Sequence, residues 1–337
     1  MHSQVLDLGR VAAEALPTEP PAAAAGQEPA PKVAVLVPCF NEALTVGSVV
    51  AGFRQQLPAA EIYVYDNNST DDTAAVARAA GAIVRAENRQ GKGHVVRRMF
   101  ADIEADCYIL VDGDDTYDAS VAARLAALVL EDGYDFVNVA RDSTVAAAYR
   151  RGHKLGNRVL TEMVRTFFGR QSRDMLSGYK ALSRRFVKSF PAVSGGFETE
   201  TELTVHALEM RMPITEITAP YRERPAGSAS KLRTFRDGLR IVMLISRLIK
   251  DQRPLPFFGV IGILLGLVGL WLGLPVVLTF FKTGLVPRLP TAVLSTGLIV
   301  LGWLSIFAGI ILDVVTKGRQ ELKRLAYLSI PRCGVKR

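Results

Sequence analysis

Two stretches near the C-terminal end contain no charged residue: Phe257–Phe281, 25 residues, and Leu289–Leu312, 24 residues. As helices, both are long enough to cross a hydrocarbon core of about 30 Å. Helices of that length with no polar face have no natural place in a soluble core, so the chain must combine a water-soluble part with a membrane-embedded part. Lys250 and Arg253 precede the first stretch, and Lys317, Arg319, Lys323 and Arg324 follow the second. Only Lys282 and Arg288 lie between them. The excess of positive charge on the outer flanks predicts a two-helix transmembrane hairpin over 255–313, with both flanks on the cytoplasmic side of the cytoplasmic membrane. Residues 314–337 then form a basic cytoplasmic tail.

The segment before the hairpin, Phe235–Lys250, spaces Arg236, Arg240, Arg247 and Lys250 among Leu239, Ile241, Val242, Leu244, Ile245 and Leu248. That pattern predicts a juxtamembrane amphipathic helix within 234–254, lying in the interface. At the other end, residues 1–31 are rich in Ala, Pro and Glu and lack an apolar h-region. They read as a disordered tail and not as a signal peptide. The net charge is +8, but many of the basic residues flank the apolar stretches. This suits anionic lipid and phosphorylated substrates, and gives no reason to invoke nucleic acid. Interfacial helices and spans commonly associate, so a homo-oligomer is compatible with the pattern. Cys39, Cys107 and Cys333 have neither CxxC spacing nor a His partner, so no zinc site or disulfide framework is indicated.

Between these ends, over 32–233, strands and helices alternate. Strands are predicted at Lys32–Pro38, Glu61–Asp66, Ala82–Ala86, Cys107–Asp112 and Asp135–Ala140, with helices at Leu44–Leu57, Asp71–Ala80, Lys92–Glu104 and Ala119–Glu131. The rhythm predicts an α/β fold, a mostly parallel sheet with helices on both faces. A helix is expected at His153–Phe168, strands at Tyr179–Ser183 and Ile214–Tyr221, and a helix at Glu200–Met210. In a parallel sheet, ligands bind beyond the C-terminal ends of the strands. Three polar clusters fall there: Pro38-Cys39-Phe40-Asn41-Glu42, Asp66-Asn67-Asn68-Ser69 and Asp112-Gly113-Asp114-Asp115.

The last of these has the chemistry of a divalent cation site. Gly113 permits a tight turn, and Asp112 and Asp114 can converge on Mg²⁺ or Mn²⁺, which prefers oxygen ligands and keeps positions for water and phosphate. Asp66 can accept from a base N–H or a ribose hydroxyl, and Asn68 tolerates a left-handed backbone. Thr70 and Asp71 are expected to cap the helix that follows. Asn88-Arg89-Gln90-Gly91-Lys92-Gly93 offers glycines and Lys92 to a phosphate, but lacks the GKS/T of a nucleotide-hydrolysing P-loop. Glu198, Glu200 and Glu202 can bind sugar hydroxyls, and Arg224, Ser230 and Lys231 lie in a Gly/Ser loop suited to clamping phosphate.

Taken in order, these clusters make Val33–Lys231 resemble the family 2 glycosyltransferases of the GT-A, Rossmann-like fold, and in particular the polyprenyl-phosphate and dolichyl-phosphate sugar synthases. The resemblance implies that Pro38, Asn41, Glu42, Asp66, Asn68, Lys92, Asp112 and Gly113 bind the nucleotide sugar. It implies a metal at Asp112 and Asp114, with an active-centre arginine at Arg141. Asp174, Ser177, Gly178 and Lys180 match a DxxSGxK/R signature. Arg224, Ser230 and Lys231 match an RxxGxSKL-type loop facing the phosphates. Relatives often place Gln at the fifth position of the metal motif, where this chain has Thr116, so Thr116 or water takes that ligand position. The usual Asp-Asp-Gly-Ser after the second strand is here Asp66-Asn67-Asn68-Ser69.

The expected reaction is metal-dependent, inverting transfer of a sugar from a UDP- or GDP-linked donor to the phosphate of a polyprenyl phosphate. Asp114, Arg141, Arg224 and Lys231 are its catalytic candidates. Asp174, Ser177, Lys180, Glu200 and Ser230 are expected on the acceptor and sugar side. The competing readings are a membrane glycosyltransferase acting on a lipid or glycan hydroxyl, and a non-catalytic nucleotide-sugar-binding scaffold.

Overall fold

The computed structural model describes residues 30–142, 174–193, 195–196, 198–222, 243, 246–247 and 250–332. The expected helix at His153–Phe168, most of the amphipathic segment before the hairpin, and the loop carrying Arg224, Ser230 and Lys231 lie outside the described residues.

The chain opens with β1 (Val33–Cys39), α1 (Val46–Gln56), β2 (Glu61–Asp66), α2 (Thr73–Ala79), β3 (Ile83–Ala86), α3 (Lys92–Asp102) and β4 (Cys107–Leu110). A single 3₁₀ turn at Ala119–Val121 leads into α4 (Ala122–Leu130), followed by β5 (Phe136–Asp142). After the undescribed stretch come β6 (Lys180–Ser183), α5 (Arg184–Ser189), α6 (Thr199–Glu209) and β7 (Ile214–Pro220). Two long helices close the described chain, α7 (Pro254–Thr283) and α8 (Leu289–Leu328).

The seven strands form one sheet in the order β3-β2-β1-β4-β6-β5-β7. β1 runs parallel to β2 and β4, β2 to β3, and β5 to β7, while β6 is antiparallel to both β4 and β5. All strands except β6 therefore point the same way, and their C-terminal ends share one edge. Because β6 is reversed, it is its start that lies at that edge. The DxxSGxK segment, Asp174–Lys180, thus arrives beside the loops after β1, β2 and β4. Both the mostly parallel sheet and its layering agree with the expectation from sequence; the reversal of β6 was not foreseen.

Alternation along β1 assigns the two cores. Val35, Val37 and Cys39 pack with Val46, Val50 and Phe53 of α1, Ala77 of α2 and Leu125 of α4. Ala34 and Leu36 pack with Val96 and Met99 of α3, Phe186 of α5 and Leu203 of α6. This is the period-two segregation of a strand buried on both faces.

α7 and α8 each contain a window of mean hydropathy 2.5, and only 17% and 11% of those windows is buried. Both helices are long and apolar enough to cross a membrane, and both leave nearly all of that surface uncovered. They meet along a seven-residue seam. Its buried positions are Gly262, Gly269 and Val276 on α7, and Ser295, Gly302, Gly309 and Thr316 on α8. Small residues allow close backbone approach: a Cβ on Gly302 would lie 2.7 Å from the Gly262 carbonyl oxygen. Ser305 Oγ donates to the Phe258 carbonyl at 3.0 Å across the seam. Where sequence suggested a span ending at Leu312 followed by a tail, α8 continues without a break to Leu328.

Candidate active site

The loops after β1 and β2 are tied to each other by their own polar side chains. Asn41 and Asn68 both sit in the left-handed region, at φ 53° and 62°, the conformation that Asn tolerates best after Gly. Asn41 N–H donates to Ser69 Oγ (2.9 Å), and Asn41 Oδ1 accepts from Thr70 N–H (2.7 Å). Glu42 N–H donates to Thr73 Oγ1 at 2.8 Å, and the Glu42 side chain is buried beside Thr45. Thr70 therefore braces Asn41 and does not cap α2. The N-cap position of α2 is Asp72, whose side chain makes no capping bond, and Asp71, one residue earlier, accepts from Thr73 N–H through Oδ1 at 3.1 Å.

Asn67, which sequence reasoning passed over, holds the next loop in place. Its amide nitrogen donates to the carbonyls of Glu87 (2.8 Å) and Arg89 (2.7 Å), and its oxygen accepts from Gly91 N–H at 2.7 Å. A carboxylate has no proton to give those carbonyls, which explains why this position departs from the acidic residue of the resembled family. Asn68 continues the brace, donating to the Asn88 carbonyl at 2.8 Å. Beside them, Asp66 Oδ1 is buried with no hydrogen-bond partner. A buried, unsatisfied acceptor at a sheet edge is costly unless a ligand donor completes it.

The loop after β4 carries the acidic motif. Asp114 is buried, and its Oδ1 accepts from Thr116 Oγ1 at 2.6 Å. The left-handed position of this turn is Asp115, at φ 57°, and not Gly113. Gly113 is required for a different reason: a Cβ there would lie 2.6 Å from Cys39 Sγ, so a side chain has no room against β1. Thr45 Oγ1 fastens the loop by donating to the Gly113 carbonyl at 2.7 Å.

Lys92, at the start of α3, reaches across to this loop. Its Nζ bridges the carboxylates of Asp112 and Glu200. Burial alone lowers a lysine pKa, but the two carboxylates overcome this and hold Lys92 above its ordinary value. Glu200, at the start of α6, is buried and keeps its other oxygen, Oε2, unpartnered. Two carboxylates from different elements therefore converge on one positive charge.

The reversed strand supplies the floor. Gly178 lets the Asp112 carboxylate approach the backbone, since a Cβ there would sit 2.1 Å from Asp112 Oδ2. Gly178 N–H donates to the Tyr117 hydroxyl at 2.7 Å. Ser177 Oγ donates to the Val139 carbonyl at 2.6 Å. Lys180 is fully buried, with Nζ donating to Asn138 Oδ1 (2.7 Å) and the Ser177 carbonyl (2.8 Å), and burial lowers its pKa to about 8. Arg141 grips Asp174 through Nε (2.6 Å) and Nη2 (2.8 Å), and stacks 5.4 Å from the Tyr221 ring centroid. Burial pushes the Asp174 carboxyl up, but the Arg141 guanidinium more than offsets this and keeps it below its usual range.

The structure thus brings Pro38, Asn41, Glu42, Asp66, Asn68, Lys92, Asp112, Gly113, Asp114, Thr116, Arg141, Asp174, Ser177, Lys180 and Glu200 to one sheet edge. Ser177 and Lys180 spend their polar groups on one another and on β5, so they shape the floor. Asn67, Tyr117 and Asn138 are the positioning residues that sequence reasoning missed. Their signal was faint: Asn67 stands inside the Asp66–Ser69 cluster, but its role depends on the carbonyls of Glu87 and Arg89, and Tyr117 and Asn138 act by accepting from the Gly178 N–H and the Lys180 ammonium. Among the described residues, no three His, Cys, Asp or Glu side chains form a metal cage. An ion at Asp112 and Asp114 would take its remaining ligands from phosphate and water, which suits Mg²⁺ or Mn²⁺.

The model of the family named "Glycosyl transferase family 2" matches residues 34–190. Glycosyltransferase AglJ of Haloferax volcanii is 33% identical over 299 residues, covering 88% of this chain and 98% of that protein. A dolichyl-phosphate hexose transferase of the same organism is 27% identical, over 66% of this chain and 95% of that protein. Among solved structures, glucosyl-3-phosphoglycerate synthase from Mycobacterium tuberculosis, crystallised with Mn²⁺, UDP and glucosyl-3-phosphoglycerate, superposes with a TM-score of 0.55. Its identity is 22%, and the match covers 66% of this chain and 80% of that one, a likeness of fold.

Proposed function

The chain belongs to glycosyl transferase family 2, and from that premise we propose that it transfers a sugar from a nucleoside-diphosphate donor to the phosphate of a polyprenyl phosphate at a membrane surface. The observation that carries the reading is the convergence of Asp112 and Glu200 on one positive charge, in a chain that also exposes two apolar helices of membrane-spanning length. The dolichyl-phosphate acceptor named for one relative supports the lipid phosphate. The Mn²⁺ and UDP named for the solved neighbour support a nucleotide sugar and a divalent ion.

Asp66 accepts from the base or ribose of the donor through its unsatisfied oxygen. Glu200 Oε2 accepts from a hydroxyl of the sugar. Asp112 and Asp114 would hold Mg²⁺ or Mn²⁺, which would supply positive charge to balance the leaving diphosphate. A lipid phosphate is already ionised near pH 7, so it attacks without a general base, and the protein's work is positioning and charge balance. Arg224, Ser230 and Lys231, outside the described residues, are the candidates for holding the acceptor phosphate, and Arg141 is itself fixed by its ion pair with Asp174. One direct displacement at the anomeric carbon inverts its configuration. The excess of basic residues on the outer flanks of the helix pair supports a catalytic domain and both termini on the cytoplasmic side.

The test uses purified full-length protein in detergent with polyprenyl phosphate, Mg²⁺ or Mn²⁺, and a panel of labelled UDP- and GDP-sugars. The proposal predicts label entering the lipid phase from one donor and none after chelation. Folded protein that binds nucleotide yet transfers from no donor would overturn it.

A further inference from the structure

Sixteen residues of α8 extend beyond Leu312, about 24 Å of helix. This segment carries Asp313, Lys317, Arg319, Glu321, Lys323 and Arg324, and it does not end in solvent. Lys323 Nζ pairs with Glu209 Oε2 at 3.1 Å, and the Glu209 side chain is only 4% exposed. Tyr327 donates its hydroxyl proton to Asp135 Oδ2 at 2.5 Å, and the Arg185 guanidinium stacks 4.8 Å from the Tyr327 ring centroid. Asp135 is buried and also accepts from Ser183 Oγ at 2.6 Å. These anchors share a location. Asp135 precedes β5, Ser183 ends the reversed β6, and Glu209 closes the helix before β7, so all lie at the sheet edge opposite Asp112.

Between this extension and the catalytic domain lies a cleft of about 820 Å³. One wall is Thr316, Arg319 and Lys323 of α8; the other includes Lys92, Glu202 and Glu209. Its lining includes Lys92, whose Nζ touches Asp112. It also includes Asp251, whose carbonyl accepts from Thr316 Oγ1 at 3.1 Å, close to the start of the apolar helix α7.

We propose that the end of α8 is a strut that fixes the catalytic domain above the membrane and holds this cleft open to a phosphate-headed lipid, with Lys323 and Tyr327 as its positioning residues. The inference rests on the lipid-phosphate reading given above. A helix continuous with a membrane span transmits the position of the bilayer to the domain it grips. Loosening the grip therefore alters how a bilayer-borne acceptor reaches the Asp112 edge, and leaves an acceptor that arrives from water unaffected.

The test compares the full-length wild type with Lys323→Glu, Tyr327→Ala and the Lys323→Glu/Glu209→Lys exchange. Each receives a long-chain polyprenyl phosphate in phosphatidylglycerol-containing vesicles and, separately, a water-soluble short-chain prenyl phosphate. For Tyr327→Ala, which lies outside the cleft lining, KM for the vesicle acceptor should rise about tenfold or more, with kcat on the soluble acceptor within about twofold of wild type, and for the cleft-lining Lys323→Glu the vesicle KM should rise by at least as much. The charge exchange should recover most of the loss, which general destabilisation would not allow. An unchanged vesicle KM, or equal losses on both acceptors without recovery in the exchange, would overturn the strut alone. Failure of the wild type on both acceptors would overturn the lipid-phosphate reading and the strut with it.

Discussion

Lys92, with a side chain 9% exposed, is held between carboxylates on two sides at the sheet edge. Removing one partner of such a group leaves buried charge uncompensated, at a cost of about 3–5 kcal/mol. Lys92→Met should therefore lower the thermal midpoint sharply. Adding Glu200→Gln should restore part of it, and a calorimetric scan of both variants checks this. Asp114→Asn keeps the shape of a buried side chain but removes its charge, and should cut transfer by orders of magnitude while the protein stays folded. Near-normal turnover would remove Asp114 from the site. His206 gives a pH signature. Burial, with a smaller contribution from Lys323, lowers its pKa to about 3, against an unfolded value of about 6.5. Below pH 6.5 the unfolded chain binds a proton that the native state refuses. Stability attributable to His206 then falls by about 1.4 kcal/mol per pH unit as pH drops toward 3. Denaturant titrations between pH 6.5 and 5 should show a shallower acid slope for His206→Gln. At this scale the acidic motif and Asp66 were legible in sequence because charge at a strand end is conspicuous. The role of Asn67 was not, because it depends on which carbonyls a neighbouring loop presents, and the reason for Gly113 lay in the proximity of Cys39 on another strand.

At the scale of elements, the strand–helix alternation was readable from hydrophobic periodicity, and most boundaries fell within two residues. β6 was recognised as a strand, but its direction was not, since a four-residue strand carries no sequence mark of orientation. That direction is what delivers Asp174–Lys180 to the catalytic edge. The run of α8 past the apolar stretch was hidden for a related reason: its last sixteen residues include six charged side chains, so hydropathy marked an end where the helix continued. The α7–α8 seam supplies an internal comparison. A Cβ on Gly302 meets the Gly262 backbone, whereas Gly297 on the same helix has nothing within 4 Å. Gly302→Leu should destabilise the pair by about 1–3 kcal/mol through overpacking. Gly297→Leu should leave it nearly unchanged, a contrast readable from melting in detergent.

Over the described residues, one edge of the sheet gathers the acidic and polar groups proposed to bind a donor and a cation, and the opposite edge is gripped by a helix continuous with a long apolar segment. That arrangement fits an acceptor carried in a bilayer that attacks the donor sugar through an already ionised oxygen. The central claim is that this oxygen belongs to a lipid phosphate. The most direct measurement supplies the purified protein and its active donor with polyprenyl phosphate and with the free polyprenol of the same chain length, side by side in the same detergent. The account predicts that label enters only the phosphate-bearing lipid. Transfer to the free alcohol, at a rate equal to or above that of the phosphate, would contradict it.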